Sequence, residues 1–120
     1  MKKHILVVDD EKNIRTLFRD ELDEEGYDVD TAGSGHDALE KIRTRLPDLV
    51  VLDIRMEDMT GLEVLEEIRK EHSSEALPVI MCTAVRGLQD DFTVWDSKVS
   101  DYITKPVDLD VLKEKIKAAL

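Results

Sequence analysis

The sequence predicts a doubly wound α/β sandwich, a parallel five-stranded sheet with helices on both faces. Three observations carry that prediction. Short β-like runs alternate five times with helix-like segments, an order that implies parallel strands joined by right-handed crossovers. The first and third runs are densely apolar with no polar alternation, as strands covered on both faces are. The 120 residues are 42% apolar and contain no Gly/Ser linker, internal repeat or low-complexity tract, so one continuous core is expected over residues 1–120.

The first strand, His4–Val8, is dense in Ile, Leu and Val. Ile14, Leu17, Phe18 and Leu22 follow at helical spacing, and Gly26 supplies the stop. In Tyr27–Ala32 the carboxylates of Asp28 and Asp30 alternate outward, which puts this strand at an edge. Ser34 or Asp37 can cap a second helix with an inner face of Ala38, Leu39, Ile42 and Leu46, ended by Pro47. Leu49–Leu52 is the third strand, and Gly61 opens a third helix through Leu62, Leu65 and Ile68. Pro78–Thr83 is the fourth strand. Gly87 to about Ser97 is the least periodic of the expected helices. Asp101–Thr104 is the fifth strand, and Leu109, Leu112, Ile116 and Leu120 stripe the last helix.

Charge and composition narrow the function. Lys and Arg number 17 against 28 Asp and Glu, a net charge of −11 at pH 7. Such a balance opposes direct nucleic-acid binding, which needs a basic face, and opposes an anionic membrane surface. The longest apolar runs, Ile5–Val8 and Leu49–Leu52, are far too short to span a bilayer. The opening Met1–Asp10 does not read as a signal peptide, since its apolar stretch ends in Asp9 and Asp10. With Cys82 as the single cysteine, no internal disulfide forms, and a cytoplasmic location is expected.

Ligands of open parallel sheets bind beyond the carboxyl ends of the strands. Strand one ends in Asp9 and Asp10, strand three in Asp53 and strand four in Thr83, while Lys105-Pro106 follows strand five. Each residue alone has an ordinary reading: Asp10 can cap a helix, Asp53 can sit in a loop, and Lys105-Pro106 can be a turn. Together they place three carboxylates, a hydroxyl and an ammonium on one rim. Two unit charges about 4 Å apart interact by roughly 4 kcal/mol at an effective dielectric near 20. Three crowded carboxylates therefore call for a cation, and Lys105 offsets only part of the repulsion. A hard divalent ion with oxygen ligands, Mg²⁺, answers the rest and keeps open positions for phosphate oxygens. The chemistry this suggests is phosphoryl transfer.

Other chemistries on this architecture are less well served. A dinucleotide site wants G-x-G-x-x-G after the first strand, where this chain has Val8-Asp9-Asp10-Glu11-Lys12. A flavin site wants a hydroxyl-rich phosphate loop and sandwiching aromatics, and aromatics are only 4% of the chain. For a Ser-His-Asp hydrolase, His4, His36 and His72 fall in the first strand, the second helix and the end of the third helix, none near the acidic rim.

Five pieces in order carry a family resemblance: Ile5–Asp10, Pro47–Asp53, Gly61, Thr83-Ala84 and Asp101–Pro106. Over essentially its whole length the chain resembles the receiver (phosphoacceptor) domain of bacterial two-component response regulators. The resemblance implies one receiver domain over residues 1–120, with the flavodoxin-like strand order 2-1-3-4-5. It implies Asp53 as phosphoacceptor, with Mg²⁺ held by Asp10, Asp53 and the Arg55 backbone carbonyl and assisted by Asp9. Thr83 and Lys105 match the hydroxyl and lysine that contact the phosphoryl group, and Tyr102 matches the aromatic that turns inward on phosphorylation. A cis Lys105-Pro106 peptide is also implied.

The partners implied are a sensor histidine kinase or histidine phosphotransfer protein, a downstream target or output domain, and a homodimer formed on phosphorylation. The remodelled face is built from the fourth helix, fifth strand and fifth helix. The chain then acts as a switch and not as an enzyme, its own chemistry confined to assisted phosphotransfer and self-dephosphorylation. The alternative is a phosphorylation-independent interaction module of the same fold, against which the intact set Asp9, Asp10, Asp53, Thr83 and Lys105 argues. A Mg²⁺-dependent phosphatase with an aspartyl nucleophile wants a second Asp two residues on, where this chain has Arg55.

Departures from the family pattern are Glu57, where proline is frequent, and Lys98-Val99 before the fifth strand, where Gly-Ala is common. The Arg55 side chain and Val85 flank the phosphoryl site and are expected to tune water access. Trp95 reads equally as packing or as a partner-binding residue. Cys82 reads as core packing, and Glu21, Asp23, Glu24 and Glu25 as solvated surface. Glu66 and Glu67 with Lys70 read as helix-surface pairs.

Overall fold

In the computed structural model, residues 2–83 and 99–120 are described. They form strands β1 (His4–Val8), β2 (Asp28–Ala32), β3 (Leu49–Asp53), β4 (Val79–Thr83) and β5 (Asp101–Thr104). The helices are α1 (Lys12–Glu24), α2 (Gly35–Thr44), α3 (Gly61–Glu71) and the C-terminal α4 (Leu109–Ala119). All strand pairs are parallel, in the order β2-β1-β3-β4-β5. The expected doubly wound sheet is the observed one. The fourth predicted helix, from Gly87 to about Ser97, lies outside the described residues, as do Ala84, Val85, Trp95 and Lys98. No helix among the described residues is long and apolar enough to cross a membrane.

Alternation along each strand splits the core between the sheet's two faces. Leu6, Val8, Val50, Leu52, Val79 and Met81 meet α2 and α3 through Ala38, Leu39, Ile42, Val64, Leu65 and Ile68. Ile5, Val7, Leu49, Val51, Ile80 and Cys82 meet α1 and α4 through Phe18, Leu22, Leu112 and Ile116. The run of fully apolar positions in β1 and β3 is thus explained by burial on both sides.

Helix ends follow local chemistry. Gly26, at φ 93°, lets its N–H reach the Asp23 carbonyl while the Tyr27 N–H reaches Leu22, closing α1 in a left-handed turn that only glycine adopts freely. Tyr27 is thereby drawn out of β2, which starts one residue later than expected, and β4 likewise starts after Pro78. Ser34, and not Asp37, caps α2, its hydroxyl accepting from the Asp37 N–H at 3.1 Å. Thr60 and Glu63 form a reciprocal capping box at the start of α3.

Some stripe positions are not core. Leu17 is 45% exposed and Leu46 49%, the latter because α2 ends at Thr44, before Pro47. Leu120 caps α4 and is 40% exposed. Val64 is fully buried on the inner face of α3, whereas Leu62 is only partly so.

Candidate functional site

The rim residues are held by the ends of the strands that carry them. The Asp9 N–H donates to the Ala32 carbonyl at 3.1 Å, extending the β1–β2 pairing by one residue beyond Val8. Asp9 therefore continues the parity of Ile5 and Val7, and its carboxylate is buried on the α1/α4 side of the sheet. Asp53 is the last residue of β3, opposite Cys82, and is 5% exposed. Asp10 stands at the surface beside them. Asp10 does not cap α1: Glu11 is the N-cap residue and no side chain caps this helix, while Asp9 Oδ1 accepts from the Glu11 N–H at 2.9 Å. Arg15 adds a further brace, donating from Nη1 to the Asp9 carbonyl at 2.8 Å.

Asp9, Asp10 and Asp53 each offer a carboxylate oxygen, all within 4.8 Å of one another. Lys105, on the loop after β5, places Nζ 3.1 Å from Asp53 Oδ1 and 3.3 Å from Asp9 Oδ2. Its peptide bond to Pro106 is cis, as expected. The Arg55 backbone N–H is near enough to the Asp53 carboxylate to favour its charge. Asp10, Glu11, Asp53, Arg55 and Lys105 line an open cleft of about 250 Å³. That is smaller than the clefts that hold drug-sized ligands, and it suits a phosphoryl group and a hydrated cation.

Electrostatics record the crowding. Burial, reinforced by the neighbouring Asp9 charge, pushes the Asp53 carboxyl above its ordinary value, against the pull of Lys105 and the Arg55 N–H. For Lys105, burial disfavours the charge, yet its bond to Asp53 and the charges of Asp53 and Asp9 hold the ammonium above its usual value. Burial pushes the Cys82 thiol up to about 12, which leaves it an inert packing residue, as expected. The donor set is all oxygen and anionic, the kind hard divalent cations prefer.

The sequence-derived set is thus brought together at Asp9, Asp10, Asp53, Arg55 and Lys105. Thr83 ends β4 in register with Thr104, and its side chain lies outside the described part. Tyr102, paired with Met81, is partly buried and packs on the α2/α3 side of the core, not in the cleft. Two features were missed. Glu11 also lines the cleft, and its signal was the unbroken run Asp9-Asp10-Glu11. Asp58, in the β3–α3 loop, bonds to His36 at the start of α2. Residues 22 positions apart leave no local pattern from which that contact can be read.

Comparison with known proteins agrees with this geometry. The family model of the response regulator receiver domain matches residues 5–117. The alkaline phosphatase synthesis transcriptional regulatory protein PhoP of Bacillus subtilis is 39% identical over 100% of this chain and 49% of its own length. The response regulator ArlR of Staphylococcus aureus is 37% identical over 97% of this chain and 52% of its own. The chain spans about half the length of these curated relatives.

Among solved structures, the response regulator protein TrrA of Thermotoga maritima, in complex with Mg²⁺-BeF, superposes with a TM-score of 0.88 at 46% identity, covering 98% of this chain and 99% of that one. A CheY-like receiver domain protein of Methanospirillum hungatei gives 0.91 at 34% identity, covering 98% and 93%. Sequence, strand order and the acidic rim converge, and the chain belongs to the receiver domain family of two-component response regulators.

Proposed function

We propose that this chain is a phosphorylation-dependent signalling switch, one receiver unit over residues 1–120 that accepts a phosphoryl group on Asp53 from a histidine kinase or phosphotransfer protein. The observation that carries the reading is a buried Asp53 carboxylate held 3.1 Å from Lys105, with oxygens of Asp9 and Asp10 within 4.8 Å. A carboxylate is ionised at neutral pH and needs no general base to attack phosphorus. An Asp53 oxygen forms the new O–P bond while the N–P bond to the donor imidazole breaks, its electron pair returning to nitrogen. Asp9, Asp10, Asp53 and the Arg55 carbonyl would hold Mg²⁺, and the bound ion would supply positive charge to offset that of the transferring group. Lys105 is close enough to Asp53 to pair with the same oxygens. Water attacking phosphorus later restores the carboxylate, so the chain assists its own transfer and dephosphorylation and turns over no separate substrate.

The Thr83 hydroxyl, one residue beyond the Cys82 that faces Asp53, then bonds the new phosphoryl oxygens. The ring of Tyr102 turns inward, and the face that carries β5 and α4 changes shape. The readers of that face are a downstream protein or an output domain, or a second copy of the chain, in the cytoplasm and without direct nucleic-acid contact. Support comes from TrrA, whose structure carries Mg²⁺-BeF on a closely similar fold. Mass spectrometry after treatment with acetyl phosphate and Mg²⁺ tests the reading. The native chain gains one phosphoryl group and Asp53→Asn gains none; equal gain in both removes Asp53 from the role.

A further inference from the structure

The β3–α3 loop carries Arg55, and its base is closed tightly. The Ile54 N–H donates to Cys82 at 3.0 Å, and the Gly61 N–H donates back to the Ile54 carbonyl at 2.8 Å. Between these anchors the loop must hold its outer residues by other means. Met56 and Met59 lean on the core. Among the described residues, the polar tie from this outer stretch to another element is made by Asp58. Its Oδ1 accepts from the Gly35 N–H at 3.0 Å, and its Oδ2 from the His36 N–H at 2.9 Å and from His36 Nδ1 at 2.6 Å. The last contact requires the proton to sit on Nδ1.

Two further observations make this tie specific. The His36 and Gly35 N–H groups above all, with the His36 ring and the Met59 N–H, hold the Asp58 carboxyl well below the usual carboxylate range. A Cβ built on Gly35 would fall 2.1 Å from Met59 Cγ and 2.9 Å from Val64 Cγ2, so the start of α2 touches both the loop and α3. The carboxylate also lies at the positive end of α2, where a negative charge is favoured.

We propose that Asp58 is a positioning residue for the cation: by fastening the β3–α3 loop to the N-terminus of α2, it fixes where the Arg55 carbonyl meets Mg²⁺. This rests on the assignment of Mg²⁺ to Asp9, Asp10, Asp53 and Arg55. Partners one shell out from metal ligands characteristically change metal affinity by about tenfold or more when removed. A purely structural role predicts something different, because any loss at the start of α2 would then act alike.

Ser34 supplies the control, since its hydroxyl caps the same helix through the Asp37 N–H without touching the loop. Mg²⁺ titrations of the full chain followed by backbone amide shifts compare native, Ser34→Ala, Asp58→Ala, Asp58→Asn and Asp10→Asn. Expected are a native-like constant for Ser34→Ala, binding about tenfold weaker for Asp58→Ala, and loss of binding for Asp10→Asn. Asp58→Asn, which keeps one acceptor oxygen, gives an intermediate constant and serves if Asp58→Ala does not fold. Native affinity in both Asp58 variants overturns the inference and leaves the metal assignment standing. Equal weakening in Ser34→Ala and Asp58→Ala also overturns it, since a loosened helix then explains both. A native chain indifferent to Mg²⁺ overturns the metal assignment itself.

Discussion

At the scale of single residues, the site is a concentration of like charge that the fold tolerates at a cost. Asp53 is buried beside Asp9, and its carboxyl is raised above its ordinary value by that burial first and by Asp9 second. A raised carboxyl penalises the folded state wherever it is ionised. The penalty is full above the folded value, shrinks as pH falls toward the ordinary aspartate value of about 3.9, and is absent below it. Asp53→Asn removes the charge and keeps the shape. In chelator, urea unfolding at pH 7 should find this variant more stable than the native chain by about 1 kcal/mol, with the difference closing toward pH 4. A variant less stable than native at pH 7 would show that the Lys105 contact outweighs the burial.

At the scale of elements, Gly61 shows how a turn can set a functional group. A Cβ on Gly61 would lie 2.5 Å from the Asp53 carbonyl oxygen and 2.8 Å from Ile54 Cα, both backbone atoms that cannot swing aside. Gly61→Ala must therefore push α3 away from the end of β3, at a cost of roughly 1–3 kcal/mol. Because the strain falls on Asp53 itself, slower phosphorylation by acetyl phosphate should accompany the lower melting temperature. A stable variant phosphorylated at the native rate would mean that the loop reshapes without moving Asp53.

Most elements were legible for a physical reason. The strands β1 and β3 are buried on both faces and so read as unbroken apolar runs, and Asp28 and Asp30 mark β2 as an edge. Helix stripes were read correctly where they meet the sheet, as at Phe18, Leu22, Leu112 and Ile116, and failed beyond the ends of α2 and α4, at Leu46 and Leu120, and at Leu17 within α1, which is left exposed beside the buried Phe18. Within the site, Asp9, Asp53 and Lys105 were visible because each directly follows or ends a strand. Asp58 was not, since its partners come from a helix placed beside it by the tertiary fold.

At the scale of the whole molecule, the site follows from topology. β1 and β3 are neighbours in the sheet, yet α1 after β1 packs on one face and α3 after β3 packs on the other. The chain parts in opposite directions at that point, and a crevice opens where the two strands end. Asp9 and Asp53 stand at its two sides, with Lys105 reaching across from the loop after β5. In a chain of net charge −11, this crevice gathers acidic oxygens around an incompletely neutralised centre. The role proposed for this crevice is that of a preformed site for a hard divalent cation.

Melting temperature against Mg²⁺ concentration tests that claim most directly, with NaCl of matched ionic strength as the control. A ligand that binds only the folded state stabilises it by about 2.7 kcal/mol at a hundred times its dissociation constant. The native chain should therefore melt progressively higher as Mg²⁺ rises, while Asp10→Asn and Asp53→Asn follow the salt control. A native chain that gains no more from Mg²⁺ than from NaCl would contradict the account.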